Sequence, residues 1–232
     1  MKIALLGYGK MGKVIEKIAV SRGHEIVLKK DADNTFEGLK NADVAIDFSL
    51  PEVAVCNITE CLQTNIPIVC GTTGWLDKFQ EMVDLCKLKN GSFIYASNFS
   101  LGVNIFFELN DYLSKIMSKF NDYKVSIEEI HHTQKLDSPS GTAISLANRI
   151  IENSNLTNWT LENSKQNELP IKVIREENVP GTHSVFYDSE VDFIEIKHEA
   201  KSREGFALGA IIAAEFIYNK KGVFTMKEVL GS

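Results

Sequence analysis

The sequence lacks the features of several classes of protein. Its 232 residues contain four cysteines and no C-x-x-C pair, so neither a zinc ribbon nor a redox dithiol is indicated, and we expect four free, buried thiols. The longest apolar stretch, residues 206–218, contains Glu215 and is shorter than the ~20 residues that a membrane-spanning helix needs. The first residues do not resemble a secretory signal peptide. We therefore expect a cytoplasmic protein with no membrane partner.

The composition is that of an ordinary globular protein. Hydrophobic residues make up 44% of the chain and charged residues 24%, with a formal net charge of −6. This length can bury a core in one large domain or two modest ones without disulfides, and we expect no metal site. The acidic balance argues against a nucleic-acid partner, because nucleic acids are also anionic.

The first hundred residues alternate between strand-like and helical patterns. Apolar residues recur at helical spacing from Met11 to Ser21, and Pro51 is well placed to open a helix running toward Gln63. A further helix is predicted at 76–87, and the predicted strands are 2–6, 25–28, 44–48, 66–70 and 93–96. Strands that alternate with helices over short connections imply a parallel sheet covered on both faces. This half is predicted to be a Rossmann-type α/β domain.

The pattern changes after Asn98. Helices are predicted at 103–119 and 141–152, strands at 124–132, 171–175, 183–187 and 191–197, and a polar surface loop at 153–167. Strands without intervening helices indicate a mixed sheet in a smaller α+β domain. The very apolar helix predicted at 205–218 should be buried, most simply against the first domain. We therefore assign 1–101 plus 205–232 to a dinucleotide-binding domain and 102–204 to a substrate-binding domain.

A glycine-rich turn follows the first predicted strand. Residues 7–12 fit the G-x-G-x-x-G pattern and open an amphipathic helix. In that context Gly7 allows the tight turn, Gly9 lets the backbone approach a pyrophosphate, and Gly12 permits close helix–strand packing. The free N–H groups of the helix N-terminus would hold the phosphates. The predicted dinucleotide-binding residues of this turn are Gly7, Tyr8, Gly9, Lys10, Met11 and Gly12.

Charged residues at the end of the second strand bear on the cofactor. The carboxylate of Asp31 could accept hydrogen bonds from ribose hydroxyls, which favours NAD. Lys29 and Lys30 could instead pair with the 2′-phosphate of NADP, and a solvated charge cluster explains the two lysines equally well. The residues themselves leave NADH and NADPH open.

Two further loops follow predicted strands, one after the fourth strand and one after the fifth. Ligands of open α/β sheets bind outside the carboxyl ends of the strands. We therefore predict that both loops touch the nicotinamide half of the cofactor, although each could be an ordinary turn. The residues concerned are Gly71, Thr72, Thr73, Ala96, Ser97, Asn98 and Phe99.

The segment 129–143 has the highest density of chemically active side chains. A strand delivers His131 and His132, a loop carries Lys135, and a helix begins at residues 140–142. A histidine can donate a proton near neutral pH, and a lysine can stabilise a carboxylate or developing negative charge. Amides at the helix start would hold an anion. The segment predicts a site for a small anionic substrate, against the alternative of a solvated surface loop.

Residues 129–143 also resemble the signature of the 4-hydroxy-tetrahydrodipicolinate reductase (dihydrodipicolinate reductase) family, E-x-H-H-x-x-K-x-D-x-P-S-G-T-A, and match every fixed position. Further similarity lies in 7–12, 71–74, 96–104, 179–183 and 198–203. The resemblance implies NAD(P)H-dependent reduction of 4-hydroxy-tetrahydrodipicolinate to tetrahydrodipicolinate, with loss of water, in the diaminopimelate route to lysine. It also implies a C-terminal helix that rejoins the nucleotide domain, and a homotetramer built by the second domain's sheet.

The resemblance assigns roles to residues of the segment. His131 would be the proton donor and Lys135 its catalytic partner. The substrate carboxylates, a small dicarboxylate being the implied partner, would be held by His132, Lys135, Gly141 and Thr142. Gly7 to Gly12, Asp31 and the two loops would bind the cofactor.

The chain departs from the family between the second and third strands, where it is short. Asp31 is followed by Ala32, where many members have an arginine that could meet a 2′-phosphate, which favours NADH.

Two other functions compete with this reading. One is a non-catalytic nucleotide-binding sensor, and the other is a different small-acid dehydrogenase. A semialdehyde dehydrogenase would need a cysteine nucleophile such as Cys70, and a short-chain dehydrogenase would need a Tyr-x-x-x-Lys pair, which none of the six tyrosines provides.

Overall fold

A computed structural model describes residues 1–31, 35–162, 166–202 and 204–231. Ala32 and Arg203, which the sequence analysis singled out, lie outside the described residues. The strands are β1 Lys2–Leu6, β2 Glu25–Lys30, β3 Val44–Asp47, β4 Ile68–Cys70, β5 Ser92–Tyr95, β6 Lys124–His131, β7 Asn158–Thr160, β8 Glu168–Arg175, β9 Thr182–Asp188, β10 Phe193–Glu199 and β11 Gly222–Phe224. The helices are α1 Lys10–Ser21, α2 Pro51–Gln63, α3 Phe79–Leu88, α4 Leu101–Met117, α5 Gly141–Glu152, α6 Glu204–Ile217 and α7 Met226–Leu230.

The chain divides into two compact units, Met1–Leu101 with Glu204–Ser232, and Gly102–Arg203. The first unit contains a six-stranded sheet in the order β11-β5-β4-β3-β1-β2, and every pairing is parallel. Because β1 leads to β2 on one side and the chain then returns to β3 on the other, the strand order reverses between β1 and β3. Ligands of such sheets bind outside the carboxyl ends of the strands at this point. The predicted Rossmann-type parallel sheet is confirmed.

The C-terminal helix α6 belongs to the core of the first unit, as predicted. Its buried residues include Ala210, Ile211 and Ala214, which pack with Ile3, Leu5 and other residues of the sheet. A helix with this many small apolar residues has no polar face to offer to water, so burial against the sheet is its stable position. The return of the chain after the second unit therefore completes one face of the parallel sheet.

The second unit contains a five-stranded mixed sheet in the order β10-β9-β6-β8-β7. Its β6 strand pairs antiparallel with β9 and parallel with β8. In this register Ile127 lies beside Ile171 and Val185, and all three are buried in a cluster that also contains residues of α4 and α5. The predicted mixed sheet of an α+β domain is confirmed.

The structure also corrects four details of the sequence prediction. Residues 158–160, placed in a surface loop, form β7, which pairs with β8. Residues 222–224, for which no element was predicted, form β11 beside β5, and α7 follows. The helix predicted at 76–87 begins with a 3₁₀ turn at 76–78. Each short strand exists through pairing with another strand, β7 with the next strand of the chain and β11 with a distant one, which local periodicity does not encode.

The cysteines are free, as expected, but not all buried. Cys61, Cys70 and Cys86 are buried, whereas Cys56 is exposed on α2, which corrects the prediction of four buried thiols. Among the described helices, none has the length and hydropathy that a membrane crossing requires.

Candidate functional site

The glycine-rich turn of the first unit is shaped by two close backbone approaches. Gly7 has φ +93°, and a Cβ there would lie 2.2 Å from the carbonyl oxygen of Phe48. A Cβ on Gly12 would lie 2.4 Å from the carbonyl oxygen of Gly7. Each distance is far inside van der Waals contact, so both positions require glycine. These contacts hold the start of α1 close to β1 and β3, as the sequence pattern predicted.

Gly9 has a different role. It is the N-cap of α1, and a Cβ there would meet nothing within 4 Å among the described residues. No side chain in the described chain caps α1, and its first turn carries no acidic residue. The uncapped N–H groups and the partial positive charge of the helix N-terminus therefore face open space, which fits the pyrophosphate of a dinucleotide.

The charged residues at the end of β2 differ in their contacts with other side chains. The Nζ of Lys29 lies 2.6 Å from Oε1 of Glu16 and 4.9 Å from the centre of the Tyr8 ring. The Tyr8 hydroxyl donates a short hydrogen bond to the same carboxylate, and the Lys29 ammonium lowers the pKa of Glu16. Asp31 follows β2 and is exposed. Lys29 is thus held by Glu16 and Tyr8.

The 71–73 loop is fixed by a buried carboxylate that the sequence analysis missed. Asp47 at the end of β3 is fully buried and accepts hydrogen bonds from the Asn57 amide at 2.9 Å and the Thr72 hydroxyl at 2.9 Å. The Thr72 hydroxyl also accepts from the Ser49 amide at 2.8 Å. The side chain of Thr72 therefore points into the protein, and only its backbone remains to contact a cofactor. The sequence feature that could have identified Asp47 is an aspartate at the end of an otherwise apolar strand.

The same carboxylate bears on the alternative of a cysteine nucleophile. The Cys70 thiol donates a 3.3 Å hydrogen bond to Asp47. Burial, reinforced by the Asp47 charge, raises the pKa of the Cys70 thiol far above its usual range. Because the thiolate is the reactive form, this cysteine is not suited to nucleophilic catalysis.

The 96–99 loop is divided between surface and core. Ser97 is exposed, whereas Phe99 is 1% exposed and its ring centre lies 5.9 Å from that of Phe48. Gly209 of α6 allows this packing, because a Cβ there would lie 1.7 Å from the Phe99 carbonyl oxygen. Phe99 is thus a core residue, and the exposed part of the loop is the part available to a ligand.

In the second unit, β6 presents Glu129 and His131 on the sheet face that carries the core. Glu129 lies beside His183 of β9, and His131 lies beside Arg175 of β8. Glu129 is fully buried, and the side chains of His131 and His183 are only 8% and 6% exposed. Alternation along the strands brings these four polar residues together at the end of an otherwise apolar surface.

The Glu129 carboxylate connects several elements of this group. Its Oε2 accepts a 2.9 Å hydrogen bond from the amide of Ser140, and its Oε1 lies 3.3 Å from Nη1 of Arg175. Arg175 also donates to the carbonyl oxygen of Asp137 at 2.8 Å. The buried charge is therefore paired with a cation and a backbone donor, as a carboxylate in such a position requires.

The two buried imidazoles lie edge to face, with ring centres 5.0 Å apart. Burial lowers the pKa of His183 to about 3, and His183 Nε2 lies 3.0 Å from the Ser140 hydroxyl oxygen. Burial also lowers the pKa of His131, although the nearby Glu129 charge acts in the opposite direction. His183 is therefore neutral at pH 7, and the protonation of His131 depends on its charged neighbours.

His132 and Lys135 lie just beyond the strand. β6 ends at His131, and the carbonyl of His132 accepts a 3.1 Å hydrogen bond from the Lys135 amide. The Lys135 ammonium contacts both carboxylate oxygens of Asp137, at 2.7 and 2.8 Å. The Lys135 ammonium lowers the pKa of Asp137. The turn thus places His132 outside the strict alternation of the strand and holds the lysine beside an exposed acid.

The start of α5 offers an anion site. Ser140 is its N-cap, as predicted, and the Ser140 hydroxyl accepts a 3.1 Å hydrogen bond from the Ala143 amide. The amides of Gly141 and Thr142 find no acceptor within the described ranges, and a Cβ on Gly141 would meet nothing there within 4 Å. Two N–H groups at a helix N-terminus can bind a carboxylate.

His131, Lys135 and the start of α5 thus belong to one segment of the second unit, and Glu129 connects two parts of it, since its Oε2 lies 3.7 Å from His131 Nδ1 and accepts from the Ser140 amide. Four residues of this group were not predicted from the sequence: Glu129, Arg175, His183 and Gly181. Glu129, Gly181 and His183 lie in segments that carry the family resemblance. The sequence could not show that Glu129, Arg175 and His183 meet from three strands.

Two protein-family profiles match the chain over almost its whole length. Residues 1–99 match "Dihydrodipicolinate reductase, N-terminus", and residues 102–230 match "Dihydrodipicolinate reductase, C-terminus". A 4-hydroxy-tetrahydrodipicolinate reductase of Christiangramia forsetii is 58% identical over 99% of this chain and 98% of its own. The protein of the same name from Thermosipho africanus is 37% identical, with the same shares covered.

A solved structure has the same fold. The dipicolinate-bound dihydrodipicolinate reductase from Paenisporosarcina sp. TG-14 superposes with a TM-score of 0.78 at 23% sequence identity, covering 97% of each chain.

Proposed function

Because the chain belongs to the dihydrodipicolinate reductase family, we propose that it reduces 4-hydroxy-tetrahydrodipicolinate to tetrahydrodipicolinate with a nicotinamide cofactor. The observation that carries this proposal is the joining of His131, Lys135 and the α5 N-terminus within one short segment. The cofactor, when bound, supplies a hydride; the substrate takes up one proton and loses water. The role of this chain's residues is to bind the dianionic substrate and to deliver that proton.

The two negative charges of the substrate determine which groups of the protein can bind it. A dicarboxylate loses hydration in the site, and cations and N–H groups must replace it. We assign the substrate carboxylates to the amides of Gly141 and Thr142, to Lys135 and to His132. The Lys135 ammonium is already oriented by Asp137, so the bound carboxylate would share it with that acid.

Proton delivery is assigned to His131. Hydride transfer to a conjugated imine leaves negative charge on the substrate, and a positioned acid quenches it. Burial disfavours the imidazolium in the free protein. A bound dianion acts in the opposite direction, because nearby negative charge favours the protonated form. The proton would thus be taken up as the substrate binds.

The test is a turnover measurement. Purified protein is mixed with NADH and freshly generated 4-hydroxy-tetrahydrodipicolinate, and loss of nicotinamide absorbance is followed. We expect loss that depends on both the protein and the substrate. Absorbance that stays constant while the protein binds NADH would instead support a non-catalytic nucleotide-binding sensor.

We infer that NADH is preferred over NADPH. Asp31 follows β2, where its carboxylate suits ribose hydroxyls and repels a 2′-phosphate. Of the two lysines that could pair with that phosphate, Lys29 is engaged by Glu16 at 2.6 Å, and the Nζ of Lys30 lies 4.9 Å from the centre of the Phe36 ring. Pairing of Lys29 with the 2′-phosphate of NADPH would require its ion pair with Glu16 to be shared or broken.

Replacing Asp31 with alanine should weaken NADH binding about tenfold and leave NADPH binding unchanged or tighter, because a ribose acceptor and a like charge are removed together. Dissociation constants from quenching of protein fluorescence measure the effect. Asp84→Ala, on the exposed surface of α3, is the matched control. Equal weakening of both cofactors would remove Asp31 from the ribose.

We further propose a cytoplasmic homotetramer built by the sheet of the second unit. The sheet face opposite α4 and α5 carries exposed side chains, among them Phe193 at 55% exposure, stacked 5.7 Å from Phe186. An exposed aromatic side chain on a sheet face, packed on a half-buried one, supports association. Light scattering measures the mass; a monomer would contradict the proposal.

A further inference from the structure

Glu129 is a buried carboxylate to which the proposed reaction assigns no role. It lies on the same strand as His131, two residues away, so both side chains point to the same face of the sheet. The distance from Glu129 Oε2 to His131 Nδ1 is 3.7 Å. The Nδ1 atom is buried and has no hydrogen-bond partner among the described residues. A hydrogen bond would need these two atoms to approach to about 3.2 Å or less.

The opposite edge of the His131 ring faces Gly181. A Cβ built on Gly181 would lie 3.1 Å from His131 Nε2 and 3.2 Å from its Cδ2. Gly181 also has φ +156°, at the limit of the region that favours glycine. The absence of a side chain there leaves space beside Nε2. The two nitrogens of His131 thus have different surroundings, a carboxylate on one side and a residue without a side chain on the other.

We propose that Glu129 is a positioning residue that holds the Nδ1–H of His131, so that Nε2 is the atom that delivers the proton, in the space kept open by Gly181. This inference rests on the proposed function. A carboxylate that accepts from one imidazole nitrogen fixes the tautomer and the ring orientation, and so directs the other nitrogen to the substrate.

The charge of Glu129 also favours the protonated form of His131. Among the residues that the structure describes, four other groups face this imidazole: Lys135 and Asp137 from the loop, Arg175 from β8 and His183 from β9. The Lys135 and Arg175 charges lower the pKa of His131, and Asp137 raises it less than Glu129 does. Removing the Glu129 charge therefore lowers the pKa of His131 further.

Glu129 links the proton donor to the anion site as well. Its Oε2 accepts from the Ser140 amide at 2.9 Å, at the N-cap of α5, whose first amides we assign to the substrate. Glutamine at position 129 retains an oxygen for this hydrogen bond but loses the charge. The Glu129→Gln variant therefore separates the electrostatic role from the structural link.

The experiment compares kcat and KM of Glu129→Gln across pH. We expect kcat at pH 8 to fall ten- to a hundredfold, and the alkaline limb of the kcat profile to move to lower pH by about one unit. KM should change less than threefold. In Glu129→Asp, which retains the negative charge, the alkaline limb should return most of the way to its position in the unmodified protein. A fall in kcat with an unmoved alkaline limb would overturn the proposal.

The control is Glu128→Gln. Glu128 is the neighbouring glutamate, on the opposite face of β6, where it pairs with Lys172 at 2.7 Å. The Glu128→Gln substitution should leave kcat and the pH profile of kcat unchanged. Because Glu128 lies on the sheet face proposed to form the tetramer, the mass of this variant in solution is compared with that of the unmodified protein.

A second measurement does not depend on the variant folding or on turnover. Nitrogen-15 NMR of the histidines in the unmodified protein identifies the tautomer of His131, and we expect a proton on Nδ1. A neutral His131 protonated on Nε2 would overturn the proposal even if the protein reduces the substrate. Absent turnover with the Nδ1 tautomer present would instead count against the proposed function.

Discussion

Replacing His131 with alanine is expected to lower kcat at least a hundredfold. The substitution removes the only proton donor assigned to the reaction, and a positioned acid of this kind contributes about 10²–10⁴ to the rate. The His131 side chain is 8% exposed, so water does not freely take its place. The measurement is steady-state NADH oxidation at saturating substrate and cofactor.

Two further measurements distinguish loss of the proton donor from loss of cofactor binding or of the fold. NADH binding by the first unit should be retained, because that unit is folded around its own core. Glutamine at position 131 keeps much of the volume without an acidic proton, and should be as slow as alanine. Wild-type kcat in both variants would remove His131 from the proton transfer.

Replacing Lys135 with alanine should lower kcat by about a hundredfold and raise KM for the substrate. The ammonium is assigned both to a substrate carboxylate and to the charge that develops after hydride transfer, so its loss weakens the ground state and the transition state. Arginine should restore KM more than kcat, because it retains charge but not the compact geometry of the ammonium.

The matched control for this prediction is Lys172→Ala. Lys172 is an exposed lysine of β8, paired with Glu128 on the other face of the sheet, and its loss should leave both kinetic constants unchanged. A raised KM with unchanged kcat in Lys135→Ala would confine Lys135 to substrate binding.

Hydrophobic periodicity, proline placement and capping residues predicted the helices and strands that depend on contacts between residues close in the sequence. The 2–6 run and the helix opened by Pro51 have the bounds that periodicity and proline placement indicate. Ser140 caps α5 through its own hydroxyl, which is a contact of three residues' range. The short strands β7 and β11 were missed because each has only three residues and is stabilised by pairing with another strand, which for β11 is distant in the sequence.

The same distinction holds at the candidate site. The glycine pattern of residues 7–12 identified close approaches whose partner atoms, in Phe48 and Gly7, only the folded chain supplies. Thr72 and Phe99 were assigned to the cofactor by their place after a strand, and their side chains instead face a buried carboxylate and the core. A position in a loop after a strand predicts proximity to a ligand, but not the direction of a side chain.

The residue types and their order determined that this chain would form a nucleotide-binding sheet and carry a histidine and a lysine beside a helix start. That much follows from local periodicity, capping and motif spacing. The tertiary structure decided which buried charge each imidazole meets, since Glu129, His183 and Arg175 come from three different strands. Lateral register between strands is set by the packing of the whole sheet. The surroundings that control a proton are therefore a property of the assembled fold.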